Sequence, residues 1–129
     1  MLAIDTNLIV RYLTADHPQQ SARARRLIDN QDVFVGTTVL LECEWVLRSV
    51  YGYAPAPLAD ALTAFAGLPR VTLQDPPAVA QALAWMRSGL DFADALHLAA
   101  AGNCDGFVSF DARLAKRANA LGALKVRTL

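Results

Sequence analysis

The sequence predicts a single α/β domain built on a central parallel five-stranded sheet with helices on both faces. Three observations carry that expectation. Short β-type runs alternate with stretches rich in Ala, Leu, Arg and Gln at helical spacing, the order that produces a parallel sheet. The runs are continuously apolar rather than alternating, as in strands covered on both sides. The 129 residues are one domain's length, at which roughly two-thirds of the unfolded surface can be buried without disulfides or metals.

Taken in order, strands are expected over 2–4, 33–36, 71–73 and 107–110, with a fifth around Val126. Helical spacing covers 19–29, 38–50, 58–66, 78–87, 93–101 and 112–121. Pro18, Pro57 and Pro77 stand just before or within the first turn of a helix, where a missing N–H costs nothing. Gly52, Gly67, Gly89, Gly102 and Gly122 fall at or just past helix ends, where left-handed backbone is wanted. Residues 51–57, holding Gly52, Pro55 and Pro57, are the one loop-like break. There is no internal repeat, low-complexity tract or linker.

Twelve Lys and Arg balance twelve Asp and Glu, which argues against a strongly basic nucleic-acid coat and against an acidic tail, while leaving local patches open. With 54% hydrophobic and 19% charged residues, ample apolar surface offsets chain entropy, and disorder is excluded. The apolar excess is more than a solitary small domain needs, and a protein partner would cover it. Cys43 and Cys104 are too few for a disulfide framework or a Cys-based zinc site, and are expected as buried free thiols in a reducing compartment. No secretory signal pattern is expected, since the apolar stub at residues 1–4 is cut off by Asp5, Asn7 and Arg11. No apolar run reaches about 18 residues, so a cytoplasmic protein is expected.

Open parallel sheets build their sites at the carboxyl ends of strands. Asp5 and Asp111 sit there, and each is equally an N-cap by position. On the helix over 38–50, Glu42 and Glu44 flank the apolar stripe of Val39, Leu40, Cys43, Val46, Leu47 and Val50. Arg48 stands four residues after Glu44, so that acid is expected in a surface ion pair. Glu42 has Trp45 and Val46 in helical reach and no cation, so it needs a partner from elsewhere in the fold or must stay protonated. Asp94 opens the helix over 93–101, with Asp91 able to serve as its N-cap. His97 is expected as a core residue with one satisfied nitrogen. If the fold gathers Asp5, Glu42, Asp94 and Asp111, four carboxylates repel and need cations. All-oxygen ligation favours Mg²⁺, with Mn²⁺ as a substitute, over Zn²⁺. Two such ions would balance four charges and suit attack of a metal-activated water on a phosphodiester. Four unrelated acids remain the alternative.

Ile4-Asp5-Thr6-Asn7, Leu41-Glu42, Phe92-Ala93-Asp94-Ala95-Leu96 and Val108-Ser109-Phe110-Asp111 together resemble the PIN domain, and more narrowly the VapC-type toxins of prokaryotic toxin–antitoxin pairs. The resemblance covers essentially the whole chain. It implies a single PIN-like domain over 1–129 and a Mg²⁺-dependent endoribonuclease, the toxin of a type II toxin–antitoxin system. Asp5, Glu42, Asp94 and Asp111 would be its metal-binding and catalytic acids. Thr6, Asn7 and Ser109 match the family's small polar residues near the site, although Thr6 and Asn7 equally suit capping of the first helix and Ser109 a strand. Asp91 is a further acid beside the presumed site. The resemblance also implies a cognate antitoxin, whose tail lies in a hydrophobic groove and reaches the acids, and a homodimer.

An RNA substrate needs cations, because phosphates dominate affinity. Arg23, Arg25 and Arg26 form one cluster and Arg113, Lys116 and Arg117 another; Arg113 and Lys116 are the expected phosphate contacts. Trp45 and Trp85 are expected in the core or at an interface, with base stacking the alternative. Two rivals stand beside the nuclease. A Mg²⁺-dependent phosphatase or receiver-like phosphotransfer domain would want a second Asp where Asn7 stands, and Lys125 is a loose match for a receiver lysine. A non-catalytic PIN-like binding module would not need all four acids.

Overall fold

A computed structural model describes all residues from Met1 to Leu129. The chain divides into two compact units, Met1–Pro76 and Pro77–Leu129. The first contains β1 (Leu2–Ala3), α1 (Thr6–Leu13), α2 (Pro18–Asn30), β2 (Val33–Val35), α3 (Thr37–Ser49), α4 (Pro55–Ala66) and β3 (Val71–Leu73). The second contains α5 (Pro76–Arg87, beginning at the boundary), α6 (Phe92–Ala100), β4 (Phe107–Ser109), α7 (Ala112–Ala120) and β5 (Val126–Thr128). No helix is long and apolar enough to cross a membrane.

Every strand pair is parallel, but the five strands do not form one sheet. β1, β2 and β3 pair in that order, with Leu2 opposite Val33 and Val33 opposite Val71, while β4 and β5 form a separate ladder with Phe107 opposite Val126. The expected single five-stranded sheet is therefore corrected to three strands plus two. Apolar character reports that a strand is parallel and covered, not which strand lies beside it. It overstated the cover too: β2 is buried at Val33 and Val35, whereas β1 exposes both of its residues.

Local signals explain the helices. Pro18, Pro55 and Pro76 occupy first-turn positions of α2, α4 and α5, where proline's fixed φ is already helical. Gly36 offers α3 no side-chain cap; instead Gln74, just after β3, accepts a hydrogen bond from the Thr37 N–H at 3.0 Å. Gly89, with φ +105°, makes the turn between α5 and α6 that an L side chain rarely adopts. In the first unit α1 packs on α2 and α3, α3 on α4, and α4 on β3, burying Ile9, Val10, Ile28, Leu40, Leu47, Leu62 and Phe65. Tyr12 meets Phe65 edge to face at 5.9 Å. In the second unit α7 packs on β4 and β5, and Leu83, Phe92, Leu98 and Ala118 are buried.

Three expectations about burial are revised. Cys43 is buried but Cys104 is exposed, in the turn after α6. His97 is exposed rather than in the core, because the buried side of α6 runs through Phe92, Ala95, Leu96 and Leu98. Trp45 is 54% exposed and so is no core residue.

Candidate functional site

The four acids divide between the units, two to each. In the first unit, Asp5 follows β1 and is the N-cap of α1, its Oδ1 accepting the Thr6 N–H at 2.7 Å. Thr6 is therefore the first residue of α1 rather than its cap. Its side chain is buried, and the hydroxyl donates to Glu42 Oε1 on α3. This is the partner from elsewhere in the fold that Glu42 needs, and it ties the start of α1 to the middle of α3. Glu42 as a residue is still exposed. Asp5 and Glu42 act on one neighbour: burial first, then the charges of Glu42 and Asp5, pushes the Cys43 thiol up to about 12. That thiol stays protonated and is no nucleophile.

Asn7 is exposed and does not cap α1. It opens onto a groove of about 370 Å³ between α1 and α2, whose apolar wall is Leu8, Ala24 and Leu27 and whose rim carries Arg11 and Arg23. Arg11 is engaged by Gln20, Tyr51 and Asp16.

Glu44 is the surprise of α3. The expected ion pair with Arg48 forms, at 3.0 Å between Arg48 Nε and Glu44 Oε2, but Glu44 is only 2% exposed. Two acids at opposite edges of one apolar stripe look alike to periodicity, and the four-residue spacing from Arg48 does not say which side of the surface the pair occupies. The structure buries Glu44 beside Leu40, Cys43 and Leu47. Arg48 donates to both carboxylate oxygens from the rim, giving the buried acid the hydrogen-bonded partner that burial demands.

In the second unit, Asp91 caps α6 by accepting the Asp94 N–H at 3.1 Å. The Asp94 carboxyl is thereby free of capping duty. Its affinity for a proton is raised, first by burial, then by the charges of Asp91 and Asp111, with His97 opposing. Asp111 caps α7, its Oδ1 accepting the Arg113 N–H at 2.9 Å and the Leu114 N–H at 3.1 Å. Its own N–H donates to Ser109 Oγ at 3.0 Å, so Ser109 fixes the bend by which the chain leaves β4. Asp91, Asp94 and Asp111 line one cavity of about 210 Å³ together with Arg113 and Arg117. Lys116, expected beside Arg113, does not line it; Arg117 does. The signal lay in the spacing: residues four apart on a helix share a face more closely than residues three apart.

Asp5 and Glu42 thus share a neighbourhood in one unit, and Asp94 and Asp111 in the other. Within neither unit do three or more Asp, Glu, His or Cys side chains converge closely enough to hold a metal ion. The donors are carboxylate oxygens throughout, the set that hard divalent cations prefer.

No curated protein matches the chain significantly in sequence. Among solved structures it is similar to Mycobacterium tuberculosis VapC20, a toxin described as cleaving the sarcin-ricin loop, with 21% identity over 98% of this chain and 99% of that one and a TM-score of 0.41. The sequence profile of the PIN domain matches residues 2–120, a span that contains all four acids. The chain belongs to the PIN domain family.

Proposed function

We propose that this protein is a Mg²⁺-dependent endoribonuclease, the toxin of a toxin–antitoxin pair, in which Asp5, Glu42, Asp94 and Asp111 are the metal-binding acids. The observation that carries the proposal is membership in a family whose domains are typically nucleases, in a chain that keeps acids in paired surroundings within each unit. PIN nucleases generally use a divalent metal. When bound, such a cation polarises a phosphodiester and makes water a better nucleophile at neutral pH. The side chains present suit it: Asp111 keeps Oδ2 outside its cap, Asp94 has no hydrogen-bonding duty for its carboxyl, and Glu42 uses Oε1 alone on Thr6.

Each residue then has a task of its own. Thr6 holds the Glu42 carboxylate in one orientation. Asp91 starts α6 so that Asp94 projects one turn later, and Ser109 sets the corner from which Asp111 projects. Arg113 supplies positive charge for substrate phosphate. For the antitoxin, the surface assigned is the groove between α1 and α2. Its Leu8, Ala24 and Leu27 wall suits apolar side chains, and Arg23, which has no acidic partner, suits an acid among them.

The test is incubation of the purified full chain, free of any partner, with total RNA and Mg²⁺. Cleavage is expected, and is expected to vanish with EDTA and in Asp5→Asn and Asp94→Asn. RNA left equally intact by wild type and variants would overturn the nuclease in favour of a binding module. A covalent phosphate on Asp5 after treatment with acetyl phosphate would overturn it in favour of phosphotransfer.

A further inference from the structure

We propose that Arg113 and Arg117 form a phosphate-binding pair that receives a backbone phosphate of the RNA beside the acids of the second unit; this rests on RNA being the substrate. Both arginines are on α7, one turn apart, and both line the cavity of about 210 Å³ that Asp91, Asp94 and Asp111 also line. Arginines so close to three carboxylates would ordinarily be taken up by them. Elsewhere in the chain this is what happens: Arg48 holds Glu44, Arg11 meets Asp16, and Arg70 meets Asp32.

Arg113 and Arg117 enter no ion pair. The guanidinium of Arg117 is held by a neutral acceptor, its Nη1 donating to the Gly89 carbonyl at 2.9 Å. A carbonyl orients the group without cancelling its charge. The α5–α6 turn that supplies this carbonyl leads within two residues to Asp91, so one contact fixes a cation and steadies the start of α6.

The physical need is plain. A phosphodiester approaching three carboxylates meets repulsion at every distance inside the screening length. Cations kept on the same rim, unneutralised and pre-oriented, offset that repulsion without collapsing onto the acids. Arginine is the suited residue, because its planar fork matches two phosphate oxygens at once. Lys116 lies outside the cavity and is excluded from the pair.

The experiment measures binding of a defined single-stranded oligoribonucleotide to the full chain in EDTA, across a series of KCl concentrations. Each phosphate contact contributes about 0.7 to the slope of log affinity against log salt for a single strand. Arg113→Ala and Arg117→Ala are each expected to flatten the slope by about that amount, and by the same amount for unrelated sequences. Arg117→Lys, which keeps the charge, is expected to restore the slope, and Lys116→Ala and Arg26→Ala to leave it unchanged. Mn²⁺ affinity should not fall in any of them, since each change leaves the acids in place. Unchanged slopes in Arg113→Ala and Arg117→Ala would overturn the pair, as would equal flattening by Lys116→Ala. Cleavage with unaltered slopes would remove the phosphate pair and leave the nuclease standing. Arginine-dependent slopes in a protein that never cuts RNA would do the reverse.

Discussion

In the first unit Glu42 and Glu44 are held by side-chain donors, whereas in the second Asp91 and Asp111 accept only backbone N–H groups and Asp94 sits among their charges. Glu42 accepts the Thr6 hydroxyl and Glu44 is clasped by Arg48, so both are oriented by a positive or polar neighbour. Asp94 instead faces the charges of Asp91 and Asp111, and its proton affinity rises accordingly. The contrast teaches that like residue types are held in different electrostatic surroundings. Under the proposed function, a cation in the first unit would meet a carboxylate already oriented by Thr6, and in the second it would relieve the repulsion on Asp94.

The largest expected effect tests the prepared side. Thr6→Val keeps the shape of the side chain and removes the donor, so Glu42 loses its orientation. Partners of this kind typically contribute 10- to 100-fold, so Mn²⁺ affinity by calorimetry should fall by roughly that factor. An unchanged affinity would mean that the Thr6 bond does not matter to the site.

A second variant separates structural from functional acids within α3. Arg48→Met leaves Glu44 buried without its clasp, and chemical denaturation should show a loss of about 2 kcal/mol. Cleavage per folded molecule should persist, because Glu44 is buried in the core and is not among the proposed site acids.

The smallest effect concerns the crowded side. Asp94 holds its proton more tightly in the folded chain than in the unfolded one, so its ionisation costs stability as pH rises through the interval between its ordinary and its folded pKa. Metal-free Asp94→Asn should therefore melt slightly higher than wild type at neutral pH. The advantage should disappear on acidification below the ordinary aspartate range, where both side chains are neutral. Saturating Mg²⁺ should reverse the order, since only the wild type gains from the ion.

Much of this was legible in the sequence. The helices from α2 to α7 fall within a few residues of the expected spans, because prolines, caps and Ala-Leu periodicity are local signals, whereas no span was expected for α1 (Thr6–Leu13). Asp91 as the cap of α6 followed from its position, as did the possibility that Asp111 caps α7, and Glu42's need for a distant partner followed from its neighbours. What failed was whatever depends on long-range packing. Strand composition could not report that β1–β3 and β4–β5 are separate ladders. Periodicity could not choose between Glu42 and Glu44 as the buried acid, because both flank one stripe. His97 and Cys104 were placed inside on the strength of apolar neighbours in sequence, whereas exposure is decided by the face of the element or by the turn.

The central claim of the proposed function is that Asp5, Glu42, Asp94 and Asp111 are metal-binding acids. Mn²⁺ titration of the wild type, Asp5→Asn, Asp94→Asn and the double variant, read by electron paramagnetic resonance, tests it directly. The account predicts that each single change weakens Mn²⁺ binding and that the double variant binds it most weakly. Binding by Asp5→Asn and Asp94→Asn equal to that of the wild type would contradict it.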